Sequence, residues 1–230
     1  TFSPRAGVIY KPQENVSLYL SYSESFLPRS GEQFKSLSAT SARLDPDVFE
    51  STEVGMKVAL PNNMSLTAAY FDSEQVRAER DNDTGETSEV RGLTVDGFEI
   101  ELKGRVNDGL NLAIAYSDLS GETSSGGIPR EIPEHTLSAF AAWEVNEKLS
   151  VALGLTQQGE SKIKDNTPGL VLPEYTRVDL SAYYQVAPNL SVQMNVENLM
   201  DELYFPHSHS THQASVGESV NSRVSLRWTY

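Results

Sequence analysis

The chain has 230 residues, 38% of them hydrophobic and 22% charged, a balance that supplies a core and argues against wholesale disorder. Its net charge of −14 argues against nucleic acid as a partner, which wants a basic face, and zero cysteines exclude a disulfide scaffold and a thiolate metal site. No stretch reaches the length of apolar sequence that a membrane helix needs, and the opening TFSPRAGVIY lacks the layout of a signal peptide. Neither point bears on a membrane barrel, whose strands cross in about ten alternating residues and leave only a weak hydropathy signal.

In chain order, strands are predicted over 5–11, 16–25, 49–60, 64–79, 87–106, 110–119, 134–145, 149–158, 174–186, 190–198 and 220–230. Five of them open with one phrase: ENVSLYLSYS, NNMSLTAAYF, DGLNLAIAYS, EKLSVALGLT and PNLSVQMNVE. Their anchors Val16, Met64, Leu110, Leu149 and Leu190 recur every 39 to 48 residues, the spacing of a repeated supersecondary unit. Each unit reads as a long hairpin. Leu110, Leu112, Ile114 and Tyr116 alternate with Asn111, Ala113, Ala115 and Ser117, the period of a strand with one apolar face.

Connections alternate between short and long. The short ones, 12–15, 61–63, 107–109, 146–148 and 187–189, use the Pro, Asn, Asp and Gly that tight turns select. The long ones are rich in Ser, Gly, Thr and charge. Turns at one end and loops at the other are the layout of an outer-membrane barrel. The second face of each strand agrees, being wet and charged: Glu99, Glu101, Lys103 and Arg105, then Arg177 and Asp179, then Arg223 and Arg227. A soluble sandwich would also alternate, but its strands run about five to six residues, shorter than several of these. Tyr22, Tyr70 and Tyr116 are expected at one membrane interface and Trp143, Trp228 and Tyr230 at the other, because such rings are apolar with wet tips. Asp96–Gly97 and Asp108–Gly109 read as turn or bulge signals.

Eleven strands is an odd number. The first and the last both run toward the turn end, so joining them would make a parallel seam, whereas bacterial single-chain barrels close antiparallel with even counts. Strands supplied from elsewhere in a larger barrel, a peeled-off strand or a second copy would each resolve this.

The C-terminal third carries a specific likeness. The stretch PEYTRVDLSAYYQVAPNLSVQMNVENLMDELYF, followed by a polar loop and SRVSLRWTY, resembles TonB-dependent outer-membrane siderophore receptors. Within it NVENLMDELY is similar to that family's N-L-x-D-x-x-Y signature, and Tyr230 matches the terminal aromatic, here with Trp228, read by the barrel-assembly machinery. Upstream, SYSESFLPRSGEQF and LDPDVFESTEVGMK resemble the segments S-x-S-F-x-P and Y-E-V-G-x-K, with Thr52 replacing the usual aromatic. The resemblance implies a barrel of about 22 strands closed by a plug, with residues 1–230 its C-terminal part and the plug and earlier strands absent. It implies a Gram-negative outer membrane, lipid around the barrel, a ferric siderophore as cargo, TonB engaged through the missing N-terminal region, and no intrinsic cofactor. FLPRSGEQF and the His209-to-Gly217 spacing lean toward the catecholate branch. A passive pore and a soluble ligand-binding β-protein are the alternatives.

Anionic ferric catecholates call for cations and aromatic rings near the lumen mouth. Phe26, Arg29, Phe34, Lys35 and Arg43 in the first long loop are candidates, as are Arg77, Arg80 and Arg91. The loop arginines have acidic neighbours that would also satisfy them. His207, His209 and His212 in FPHSHSTHQASVG form a second candidate, for ligand contact or for a borderline divalent metal, and a solvated polar loop is the plain reading. The charged second-face residues are expected to form a structural ladder, part of it facing the plug. With no Ser-His-Asp order, phosphate loop or paired-carboxylate motif in evidence, no enzyme is expected.

Overall fold

The computed structural model describes residues 2–27, 46–80, 87–164 and 169–230. They form strands β1 (Arg5–Gln13), β2 (Val16–Leu27), β3 (Asp47–Leu60), β4 (Met64–Arg80), β5 (Thr87–Asn107), β6 (Leu110–Thr123), β7 (His135–Glu144) and β8 (Leu149–Gln158). There follow β9 (Ser161–Lys162), β10 (Val171–Leu172), β11 (Tyr175–Ala187), β12 (Leu190–Glu197), β13 (His207–Ser210), β14 (Gln213–Ser215) and β15 (Asn221–Trp228). Eleven strands make one antiparallel sheet in the order β1-β2-β3-β4-β5-β6-β7-β8-β11-β12-β15. The pairs β9–β10 and β13–β14 are separate ribbons within the long connections. All eleven predicted strands are present, with boundaries shifted by a few residues.

Register keeps the two faces in phase across the whole sheet. Leu110, Trp143, Val151, Ala182, Met194 and Val224 lie side by side in one row, each paired with the next. Tyr19, Gly55, Ala69, Glu99, Ser117, Thr136 and Gln158 make a row of the opposite parity. Because side chains alternate with a period of two, one slipped residue would mix these rows.

Among the described residues nothing packs over the apolar face. Among the described residues the buried hydrophobic side chains are only Leu172, Tyr175 and Tyr204, whereas Val224, Leu226 and Trp228 are 62%, 72% and 70% exposed. An apolar surface of this extent is incompatible with water and suited to lipid, which separates the barrel reading from a soluble sandwich. Trp143 and Trp228 lie next to short turns on this face, opposite Leu110 and Leu190. Toward the loops, Tyr22, Tyr70 and Tyr116 occupy the same face, joined by Phe98, whose ring centroid is 5.7 Å from that of Tyr116. The hydroxyls of Tyr70 and Tyr116 donate to Asp96 and Asp118, each at 3.2 Å, so the carboxylates begin where the apolar band ends. Asp118 stands eight residues above Leu110, which at about 2.4 Å of height per tilted residue is roughly 20 Å.

The short turns follow local chemistry. Asn62 and Asn63 hold φ of 59° and 57°, and the Met64 amide donates to the Pro61 carbonyl at 3.2 Å, the left-handed pair that matches hairpin twist. Asn107 Oδ1 accepts from the amides of Gly109 and Leu110 at 2.9 and 3.0 Å, and Asn146 Oδ1 does the same for Lys148 and Leu149. Register shifts sit beside three turns, between Tyr10 and Gln13, Arg105 and Asn107, and Gln185 and Ala187, and a fourth lies at Gln75/Val76.

Two turn readings need correction. Pro12 belongs to β1, and Asp96–Gly97 is neither turn nor bulge but regular mid-strand, with Gly97 paired to Phe71 and Leu119. Gly97 is there because neighbouring backbone comes close: an added Cβ would run into the Asp118 carbonyl oxygen and the Leu119 side chain. Gly97→Ala is therefore expected to destabilise the barrel by about 1–3 kcal/mol, read as a lower thermal midpoint in the loss of the compact band on semi-native gels. An unchanged midpoint would show that β5 and β6 separate there at no cost.

Candidate functional site

The polar face forms a concave wall with a cleft of about 400 Å³ at mid-height. Tyr19 donates to Glu53 Oε1 at 2.5 Å, and Lys57 Nζ lies 5.6 Å from the Tyr19 ring centre. Glu99 and Glu101 complete the acidic side of the cleft. Lys103 pairs with Glu101 at 2.6 Å, while Arg105 folds back onto the carbonyls of Asn107 and Asp108. Along β5 the cations thus stand nearest the turn and the carboxylates above them. Arg223 and Arg227 share the polar parity on β15, opposite Asn195 and Ser191. Of the residues expected to form a ladder, Lys103 pairs with Glu101 and Arg177 with Asp179, each within its own strand.

A denser construction lies at the loop end of β11, β12 and β15. Asn198, 1% exposed, has φ of 52°. Its side-chain amide donates to the carbonyls of Glu202 and Glu218 at 2.9 and 3.0 Å, and its Oδ1 accepts from the Glu202 amide at 2.9 Å. Its own amide donates to Asp179 Oδ1 at 2.9 Å. The other oxygen of Asp179 accepts from Arg177 Nη2 at 2.7 Å, and Arg177 Nη1 donates to the Tyr204 hydroxyl at 3.2 Å. Tyr204 packs on Tyr175 with centroids 4.8 Å apart and covers Gly217, where a Cβ would fall inside the ring. Asp201 Oδ1 accepts from the Val220 amide at 2.9 Å. Asn198, Asp201 and Tyr204 of the N-L-x-D-x-x-Y stretch are therefore structural fasteners: they satisfy backbone groups where β12 leaves the sheet and β15 enters it.

The His-bearing hairpin β13–β14 hangs from this knot and reaches a neighbouring loop. Glu131 Oε1 accepts from the Ser208 amide at 2.6 Å and from its hydroxyl at 3.2 Å. The Ser208 amide holds the Glu131 carboxyl below the usual carboxylate range, against the opposing effect of burial. This contribution is complete above the ordinary glutamate pKa and is lost as pH falls through the lowered value.

The sequence-predicted candidates distribute as follows. His207 and His212 are exposed, the first at the start of β13 and the second in the hairpin turn. His209 lies between them on β13, its side chain outside the described atoms. Among the described residues no group of three or more His, Cys, Asp or Glu is arranged to hold a metal ion. Phe26, next to last in β2, lies opposite Val48 and shares the parity of Leu20 and Tyr22, which places it on the outward face; Phe49 is the aromatic of polar parity at this level. Arg29, Phe34, Lys35 and Arg43 lie outside the described residues. Arg77, Arg80 and Arg91 have described backbone in β4 and β5 and no described side chain. Trp228 and Tyr230 sit at the turn end. Glu131 and the Tyr175–Tyr204 pair went unnoticed in the sequence, since nothing local marks residues that meet across 77 and 29 positions.

A continuous antiparallel sheet with a lipid-compatible outer face, a charged inner wall, turns at one end and long loops at the other defines a transmembrane β-barrel of the outer-membrane kind. Residues 1–199 match the family model described as TonB dependent receptor-like, beta-barrel, and the chain belongs to that family. It is 27% identical to the probable TonB-dependent siderophore receptor PiuA of Acinetobacter baumannii, over 98% of this chain and 33% of that protein. It is also 27% identical to the metal-pseudopaline receptor CntO of Pseudomonas aeruginosa, over 99% and 33%. Among solved structures it is similar to the Pseudomonas aeruginosa ferripyoverdine receptor bound to ferripyoverdine, with a TM-score of 0.81 at 26% identity, covering 98% of this chain and 32% of that one. The chain spans about a third of the length of these relatives.

The knot generates a prediction. Asn198→Ala leaves two part-buried carbonyls and an amide without their side-chain partner and is expected to cost about 1–3 kcal/mol. Asn198→Asp, which cannot donate to Glu202 and Glu218, is expected to lose as much at neutral pH. Denaturant unfolding of the full-length receptor in detergent checks both, and an aspartate variant as stable as the parent would overturn the assigned donor role.

Proposed function

We propose that this chain is the C-terminal part of the barrel of a receptor that imports a ferric siderophore across a Gram-negative outer membrane, driven by TonB. The observation that carries the reading is the full-length match of this charged-wall sheet to one third of proteins whose names record siderophore receptors. Among the described residues β1 and β15 each have a partner on one side only, and both run toward the turn end, so they do not close on each other antiparallel. Further strands, from the part of the receptor preceding residue 1, would join these edges, since an unpaired edge in lipid is costly. A plug would then face the inner wall, meeting the mid-height shelf of Glu53, Glu99 and Glu101 with its nearby lysines.

In this reading the short turns are periplasmic and the long loops extracellular. Cargo arrives at the loop end, where Arg29, Phe34, Lys35, Arg43, Arg77 and the His207, His209 and His212 hairpin are the ligand candidates, Phe26 being turned to the outward face. The siderophore saturates its iron with its own oxygens, so the protein's task is recognition by charge and stacking rather than ligation. TonB would engage the preceding N-terminal region, Trp228 and Tyr230 would present the chain to the barrel-assembly machinery, and lipid would cover the apolar face. A passive pore would share that face; a soluble β-protein would not.

The test is titration of the full-length receptor in detergent with ferric catecholate, ferric hydroxamate and ferric pyoverdine-type siderophores, followed by fluorescence quenching. At least one should bind below micromolar Kd, and Arg29→Ala should weaken that binding about tenfold, or about 1.4 kcal/mol. No binding by any of them, together with steady ion conductance in bilayers, would instead favour the pore.

A further inference from the structure

Glu131 has a backbone conformation that its residue type does not favour. Its φ is 58°, a left-handed position that glycine or asparagine takes readily and that costs a glutamate on the order of 1 kcal/mol or more. Such a residue persists where its surroundings over-determine it. Here they do so from two sides. The Glu131 amide donates to the Lys162 carbonyl at 2.8 Å, which ties the β6–β7 connection to β9. The carboxylate turns to the other neighbour and takes both donors of Ser208, a residue 4% exposed in β13.

The left-handed turn is what allows one residue to face both ways. Supporting bonds repeat the first tie: Arg130 bridges to Lys162, and the Glu134 amide donates to the Glu160 carbonyl at 3.2 Å. Arg130 Nη2 lies 3.9 Å from the second Glu131 oxygen. The residue paired with Ser208 on β14 is Ala214, so the whole His-bearing ribbon is held through this contact and the Asn198 knot below it.

We propose that Glu131 is the positioning residue of the loop end, a pin that joins the β6–β7 connection, β9 and the β13–β14 hairpin into one body that shifts as a unit. Its importance for uptake rests on the reading of the loop end as the cargo-receiving side; the pin itself does not. A ligand that meets the His207 hairpin then acts on all three at once, and a hairpin released from the pin loses the bond that fixes Ser208 against Glu131.

The experiment is hydrogen–deuterium exchange, read by mass spectrometry, on the full-length receptor in detergent without ligand. Glu131→Gly accepts the left-handed backbone and keeps the amide bond to Lys162 while removing the bond to Ser208. It is expected to raise exchange across 207–215 at least tenfold while β11 and β12 keep their protection. Glu131→Gln, which retains an acceptor, is expected to stay within about threefold of the parent. A glycine variant with unchanged hairpin exchange, or a glutamine variant as loose as the glycine one, would overturn the proposal. A measurement on the parent protein guards against misfolded variants: under conditions where exchange follows opening directly, peptides covering 126–134, 159–163 and 204–217 should convert at one shared rate, and distinct rates would refute the unit. Siderophore binding is scored separately, so a failed pin and a failed cargo reading leave different records.

Discussion

A strand placed in lipid has no water to hydrogen-bond, so each backbone amide and carbonyl along it must find its partner in an adjacent strand. The long registers of β3–β4, β4–β5 and β5–β6, the last two shifted only at Gln75/Val76 and Arg105/Asn107, answer that constraint, and the rest of the molecule follows from it. Alternation then sorts side chains onto two faces, and because register is continuous over eleven strands, the sorting is shared by the whole sheet. The hydrophobic effect does little of the usual work here, since among the described residues the apolar face is not packed against protein. Cohesion lies in the ladder itself and in the polar wall, where Tyr19–Glu53, Ser73–Ser51 and Ser181–Asn195 link adjacent strands.

Where the ladder ends, a different device takes over. β12 stops at Glu197 and β15 starts at Asn221, and the chain between them has backbone groups with no strand to pair with. Asn198 supplies three of the missing partners from one side chain, Asp201 a fourth, and Tyr204 closes the assembly by stacking on Tyr175 over Gly217. An amide is suited to this place because it both donates and accepts, whereas a carboxylate only accepts and a hydroxyl is too short to span two carbonyls. The sequence signature thus reads as the chemical requirement of ending a sheet cleanly.

The strands were legible because alternation over ten or more residues is a strong signal, and the turns because Asn62–Asn63, Asn107 and Asn146 carry their own local bonding. Short elements were not: β9, β10, β13 and β14 are two to four residues long, too brief to display any period. Asp96–Gly97 misled because the same dipeptide that makes a hairpin also serves where two backbones come together, and only the neighbouring strand distinguishes the cases. Of the loop end, residue types suggested cations, rings and imidazoles, and these were readable as types. What could not be read was contact. Glu131 has no signal in its own vicinity, since its role exists only once residues 162 and 208 have been brought beside it. Phe26 shows the complementary limit, because its chemistry is legible and its parity, which turns it outward, follows from the register with β3.

The four register shifts of the eleven-stranded sheet occupy positions with an evolutionary consequence. Those at Tyr10/Gln13, Arg105/Asn107 and Gln185/Ala187 lie beside turns, and that at Gln75/Val76 lies above the outward aromatic residues toward the loops. Between these levels an added or deleted residue would exchange the two faces for the remainder of its strand, placing charges in hydrocarbon. Beyond them an odd residue is absorbed as a bulge. Length variation in descendants of this sequence should therefore be free in the loops, permitted singly at strand ends, and confined within the spanning segments to changes of two.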